Sequence, residues 1–201
     1  MLRRLLVLPL VALVLVGSTG CARDVSPAVQ VNSVKVSDGE LMDEVSQWAH
    51  NPSAYPAEQL ATQNPGTYPM ELVTAILGQR IDLALHHQEF VARHLKLTDD
   101  LRAQAVSVLF QGDMATAQQA LGGFSKEYQQ VYVDQITEQL AVEDALAGDY
   151  QAWRSREYLE ADIHVSPRYG TWDGASGQVV PPTGPAQPAG TLTPGAVPGG
   201  Q

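Results

Sequence analysis

Cysteine is almost absent from the sequence, which contains only Cys21. Without a second cysteine the chain can form no internal disulfide, so packing alone must stabilise its folded part. A cysteine-rich zinc site is excluded for the same reason, and we expect no thiol nucleophile. Disulfide scaffolds, cysteine-based zinc modules and cysteine-dependent enzymes are therefore not expected.

Basic residues are also scarce. The chain has 12 Lys and Arg against 22 Asp and Glu, and two of the basic residues, Arg3 and Arg4, lie within residues 1–20. Without residues 1–20, which contain no acid, 10 basic residues face 22 acids, and the formal net charge changes from −10 to −12. Such a charge repels nucleic acid and offers no basic patch to anionic lipid. We therefore expect no nucleic acid among the partners.

Long apolar runs are limited to one, the 12 residues from Leu5 to Val16. As a helix this run is about 18 Å long, whereas the hydrocarbon core of a bilayer is ~30 Å thick. Two arginines precede it, and the small residues 17–20 follow it. This order is typical of a cleavable export signal. We predict a signal peptide over residues 1–20 and a short tether over residues 21–27.

Small residues that end at Cys21 resemble the lipobox of bacterial lipoproteins, with Ser18 where a leucine is usual. The resemblance implies that Cys21 is diacylated, with chains such as palmitate, and becomes the new N-terminus. Each buried CH2 contributes about 0.8 kcal/mol to attachment, so several acyl chains would anchor the protein to the outer face of the bacterial cell membrane. A plain secretory cut near Ala22 is the alternative.

Helical patterns dominate the middle of the chain. Ser37 and Glu40 are predicted to form a capping box, and Thr98 and Ser125 are predicted N-caps of later helices. Residues 51–68 hold three prolines and a glycine and are predicted to form a loop. Apolar periodicity predicts helices over residues 41–50, 69–95, 98–111, 113–121 and 125–147, with a continuation over residues 150–160.

Strand patterns lie at the two ends of this helical region. Residues 28–36 and 161–166 alternate apolar and polar residues. Two short strands are unstable alone, so we expect them to pair with each other and to pack on the helices. Residues 174–201 contain seven Gly, six Pro and no charge, and we predict that they are disordered. The predicted fold class is mainly α, with four to five helices and a two-strand pairing that closes a domain over residues 28–173.

Both predicted strands carry motifs. Residues 31–37 (VNSVKVS), followed by Glu40 and Leu41, resemble the strand-to-helix opening of the N-terminal chaperone domain of SurA-type periplasmic foldases. Residues 161–173 (ADIHVSPRYGTWD) resemble the closing segment of actinobacterial lipoproteins that carry this domain. The likeness spans roughly residues 28–173 and implies a helical chaperone domain.

The prolyl isomerase domain of full-length SurA-type proteins has no counterpart in the sequence. In these relatives a parvulin-type domain follows the long helices. Here only 14 residues lie between Ala147 and Asp162, far below the ~50 residues of a small domain. We therefore expect the protein not to be an enzyme.

The sequence offers only weak candidates for a catalytic, metal or phosphate-binding site. Asp82, His86 and Glu89 are spaced to share one helical face and a cation, but a solvated face is the simpler expectation. No serine lies in a Gly-x-Ser-x-Gly elbow, and no phosphate-binding glycine loop follows a predicted strand. We expect no catalytic residue, no metal and no cofactor.

Four apolar residues, Phe110, Met114, Leu121 and Phe124, surround a predicted helix break. Methionine and aromatic side chains suit adaptable apolar contacts, and these four are predicted to line a client-binding groove. Packing within a helical hairpin is the alternative.

Three functions remain open. The resemblance implies a membrane-tethered extracytoplasmic chaperone, or holdase, that binds unfolded or partly folded exported proteins. A structural or adaptor lipoprotein that holds one folded envelope partner is the second possibility. A foldase related to prolyl isomerases is the third.

Overall fold

A computed structural model of the chain describes residues 27–51, 67–109, 119–182 and 191–192. The fold there is mainly helical with small antiparallel sheets, as predicted. The helices are α1 (Asp38–Ala49), α2 (Met70–Ala92), α3 (Asp99–Leu109), α4 (Lys126–Leu146) and α5 (Tyr150–Glu160). The strands are β1 (Val29–Val31), β2 (Val34–Val36), β3 (Tyr68–Pro69), β4 (Ile163–Val165), β5 (Thr171–Asp173), β6 (Gln178–Val180) and β7 (Thr191–Leu192).

The predicted helix caps are all confirmed. At the start of α1, the Glu40 N–H donates to Ser37 Oγ at 3.2 Å, and the Ser37 N–H donates to Glu40 Oε2 at 2.7 Å. This second bond is the main reason why the pKa of Glu40 is lowered. Thr98 Oγ1 accepts from the Leu101 N–H at 3.2 Å, and Ser125 caps α4 in the same way. These interactions satisfy N–H groups that have no partner inside a helix.

The two ends of the domain pair as predicted, but the sheet differs in detail. β1 is the central strand, with β2 on one side and β4 on the other, all antiparallel. Val31 lies opposite Ile163 across β1 and β4. The prediction of a single strand over residues 28–36 is wrong, because Asn32 adopts a φ of 53° and reverses the chain. The segment is therefore a hairpin, and the sheet has three strands.

The predicted domain end at residue 173 is also wrong. β6 pairs with β5, and the Val179 side chain is only 7% exposed. Gly177 has a φ of 66° in the turn between these strands, a conformation that glycine adopts without strain. The folded domain thus includes residues 174–180 of the segment predicted to be disordered. The parts of that segment at 183–190 and 193–201 lie outside the described residues.

The core is centred on α2. Its apolar face packs between α1 and the sheets, where Leu41, Val73 and Leu77 are fully buried. A second apolar cluster joins α2 to α3 and α4 through Leu83 and Tyr132. The two long helices, α2 and α4, are thereby held side by side.

Candidate functional site

An open groove of about 380 Å³ runs between α2 and α4 beside β2. We call it the α2–α4 groove. Its apolar lining is Val34, Val36, Leu83, Ala84 and Val131. Its polar lining is Arg80, His87, Asp134, Gln135 and Glu138. The groove brings together three elements that are distant in sequence, and its volume is in the range of small binding sites in proteins.

The apolar lining has a buried part and an accessible part. Leu83 is 6% exposed and belongs to the cluster that joins α2 to α4. Val131, on α4, is a large apolar residue that is nevertheless 48% exposed. Val34 and Val36 are half-buried, and alternation along a strand places both on the same side of β2. An apolar side chain entering the groove would therefore meet apolar atoms from all three elements.

The charges of the groove are paired within the fold. Arg80 bonds to the buried carboxylate of Glu44, and His87 Nδ1 lies 2.8 Å from Glu138 Oε2. Arg102 Nε donates to Asp134 Oδ1 at 2.8 Å. Burial disfavours the ionised form of Asp134, but hydrogen bonds from Arg102 and Gln130 outweigh it and lower its pKa. The groove thus has a polar rim that does not require an ionic ligand.

One polar atom in the groove lacks a protein partner. Gln135 Oε1 is buried and accepts no hydrogen bond from any of the described residues. A buried acceptor without a donor costs about 1–3 kcal/mol. Because this oxygen has almost no accessible surface, a ligand in the open groove does not contact it directly.

An aromatic cluster lies next to the groove and supports α1 against α4. Trp48 contacts Phe124 and Tyr132 edge to face, with ring centroids 5.3 and 5.8 Å apart. The Trp48 Nε1–H donates to the Tyr128 hydroxyl at 2.7 Å, and that hydroxyl donates to Glu44 Oε1 at 2.6 Å. Burial, with the charge of Glu44 second, raises the pKa of Tyr128. The Tyr128 hydroxyl therefore stays protonated and acts as a hydrogen-bond donor in this network.

Two of the four residues predicted to form a client groove are among the described residues, and neither lines the α2–α4 groove. Phe124 is 7% exposed and packs in the aromatic cluster, so its assignment to an open groove is wrong. Leu121 is partly buried against the same cluster, which is the packing expected of a helical hairpin. Phe110 and Met114 lie outside the described residues. The role of Val131 in the α2–α4 groove was not predicted, and no sequence signal distinguishes it from Tyr132 and Val133, which follow it on α4.

The predicted helical constellation has a structural role. His86 is 1% exposed, so the expected solvated face is wrong for this residue. Its Nδ1 lies 2.7 Å from the Asp82 carbonyl oxygen, and its Nε2 lies 3.0 Å from the Tyr150 hydroxyl. The Asp82 carboxylate instead accepts hydrogen bonds from Arg154 and Tyr158. Among the described residues, no group of three or more His, Cys, Asp or Glu side chains is arranged to hold a metal ion.

Comparison with known proteins adds no assignment. No protein-family model, curated protein or solved structure matches the chain. None of the helices in the described ranges combines the length and apolar character needed to cross a membrane. The predicted signal peptide and Cys21 lie outside those ranges.

Proposed function

We propose that the protein is a membrane-tethered extracytoplasmic chaperone that holds unfolded or partly folded exported polypeptides in the α2–α4 groove. The observation that carries this proposal is the groove itself, which is apolar, open to solvent and bordered by charges that are already paired. Unfolded chains expose apolar side chains that lack a fixed shape, and a half-open apolar groove accommodates many of them. Binding of this kind needs no nucleotide and no catalytic group.

Two further observations support the proposal. The segments that resemble the opening and closing motifs of SurA-type chaperone domains lie in the same three-stranded sheet, the first over the end of β1 and β2 and the second over β4. The net charge of −12 expected after removal of residues 1–20 would keep complexes with apolar clients soluble. In this proposal the export signal and a lipid on Cys21 place the groove at the outer face of the membrane, where exported chains emerge.

A holdase assay with a matched pair of variants tests the proposal. The full chain, purified in a mild detergent, is added to α-lactalbumin whose aggregation is started by reduction of its disulfides. We expect near-stoichiometric suppression of light scattering relative to detergent alone. Val131→Glu, which puts a charge into the groove, should weaken suppression at least fivefold.

Val91→Glu is the control variant. Val91 is 56% exposed on α2 and does not line the groove, so the substitution makes the same chemical change at a helical site elsewhere. It should leave suppression unchanged. Equal suppression by both variants would show that the groove does not hold the client.

The remaining functions give different outcomes. An adaptor for one folded partner would not suppress aggregation and would co-purify with a single protein in a stoichiometric amount. A residual isomerase would accelerate cis/trans exchange of a prolyl peptide, which has an uncatalysed barrier of about 18–20 kcal/mol. We expect no acceleration, and catalysed exchange would overturn the assignment of a chaperone without enzymatic activity.

A further inference from the structure

The strand β2 forms an edge of the three-stranded sheet. Within the described residues it pairs only with β1, while β1 also pairs with β4. The Asn32 N–H donates to the Asp162 carbonyl and the Ser166 N–H donates to the Ala28 carbonyl, so even-numbered residues of β1 face β4. Because backbone groups alternate along an antiparallel strand, Val29 and Val31 then face β2, where Val36 and Val34 lie opposite them.

This alternation fixes the direction of the backbone groups of Lys35. Lys35 lies between Val34 and Val36, so its N–H and C=O point away from β1. They lie in the plane of the sheet at the free edge of β2, whereas the side chains of Val34 and Val36 stand perpendicular to the sheet and line the α2–α4 groove. An edge with an outward donor and acceptor is a template for one more strand.

We propose that the α2–α4 groove binds its client as an extended segment that adds to β2 as a fourth strand. The client residue opposite Lys35 is acidic or polar, and the residues on both sides of it are apolar. The inference rests on the proposed function and specifies how the same groove recognises its ligand. The main-chain bonds would give affinity for any extended sequence, and the alternating side chains would give selectivity.

The chemistry of the two sides of β2 supports this pattern. Side chains next to Val34 and Val36 would enter the apolar groove, whereas the side chain opposite Lys35 would lie on the solvent side, beside an exposed ammonium group. An opposite charge across two strands is favourable and a like charge is unfavourable.

A second copy of the chain fits this edge poorly. A symmetric pairing of β2 with β2 would have to use the outward groups of Lys35 from both copies. The two ammonium groups would then lie directly opposite each other, which is destabilising. Lysine on an edge strand is a known means of preventing such pairing. The occupant is therefore a segment of a different polypeptide.

Charge exchange at Lys35 tests the inference. The probes are two fluorescein-labelled peptides, acetyl-Ser-Val-Thr-Val-Glu-Val-Thr-Val-Ser-amide and its analogue with Lys in place of Glu. Their binding to the full chain is measured by fluorescence anisotropy, with detergent alone as the blank. We expect the Glu peptide to bind about fivefold more tightly to the wild type. Lys35→Glu should reverse this preference.

Two controls separate strand addition from general electrostatics. Lys96 is exposed outside the groove, and Lys96→Glu makes the same change in net charge without reversing the preference. When the charged residue is moved to one end of the peptide, the Glu and Lys peptides should bind with nearly the same affinity to the wild type, and likewise to Lys35→Glu. Reversal by Lys35→Glu alone would support the inference.

Four results would overturn the inference. If both peptides bind equally well and Val131→Glu weakens the binding of both, the proposed function is retained and strand pairing beside Lys35 is excluded. Suppression of aggregation without binding of either peptide would also retain the chaperone and reject this mode of recognition. A stable dimer of the full chain that Lys35→Glu strengthens would assign the edge to a second copy. Failure of both the aggregation assay and peptide binding would reject the proposed function as well.

Discussion

Replacement of Val179 by alanine tests whether the domain extends past residue 173. Val179 is 7% exposed and belongs to the main apolar cluster, although it lies in a segment rich in glycine and proline. The substitution removes two methyl groups at about 0.8 kcal/mol each, and the remaining cavity adds to this loss. We expect Val179→Ala to lower the free energy of unfolding by about 2 kcal/mol. For a domain of this size the melting temperature should fall by roughly 4–8 °C.

The neighbouring valine provides the control. Val180 is 44% exposed on the same strand, and Val180→Ala should change the free energy of unfolding by no more than about 0.5 kcal/mol. Thermal denaturation of the full chain, followed by far-ultraviolet circular dichroism in one buffer, compares the two variants. If Val179→Ala and Val180→Ala melt at the same temperature as the wild type, β6 is not part of the folded domain.

Three further predictions concern the anchor, a buried carboxylate and acid stability. Cys21→Ala should move the protein from the membrane to the soluble fraction and remove an acyl adduct seen by intact mass, and a soluble wild type that starts at Ala22 or later would contradict the anchor. Glu44→Leu leaves Arg80 and Tyr128 without their acceptor and should cost about 3 kcal/mol in chemical denaturation, whereas a cost below about 1 kcal/mol would show that the network is not stabilising. Folding lowers the pKa of Asp134 below its ordinary value of 3.8, so its carboxylate stabilises the fold above that pH, and this stabilisation is lost as the pH falls through the folded-state pKa. Asp134→Asn should therefore lose less stability than the wild type between about pH 6 and 3. An identical loss in both proteins would exclude this contribution.

Features that depend on local sequence were predictable. The caps at Ser37, Thr98 and Ser125 were predicted correctly because an N-cap is defined within three residues of the chain. The pairing of β1 with β4 also followed from local patterns, since two isolated short strands have few other ways to satisfy their backbone groups.

Three features were not predicted, each for a different reason. The hairpin at Asn32 was missed because the turn lacks the glycine that usually marks one. β6 was missed because its composition resembles a disordered tail, whereas Val179 is ordered by contact with the core. The predicted groove around Phe124 was misplaced because helical spacing does not tell which apolar residues a neighbouring helix covers.

The α2–α4 groove could not be found from any one segment. Val34, Leu83 and Val131 lie on three different elements, and only the packing of α2 on α4 next to β2 brings them together. On α4, Val131 is followed by Tyr132 and Val133, and the sequence does not tell which of these residues is exposed. An exposed apolar residue is common on protein surfaces and decides nothing by itself.

Photo-crosslinking from the groove tests the central claim most directly. Benzoylphenylalanine is placed at Val131 in one variant of the full chain and at Val91 in the other, and each is irradiated with reduced, carboxymethylated α-lactalbumin, which stays unfolded. We predict a crosslinked product from position 131 that the valine-rich Glu peptide competes away, and little product from position 91. Equal crosslinking from both positions, or none from position 131 while aggregation is still suppressed, would contradict the claim that the groove holds the client.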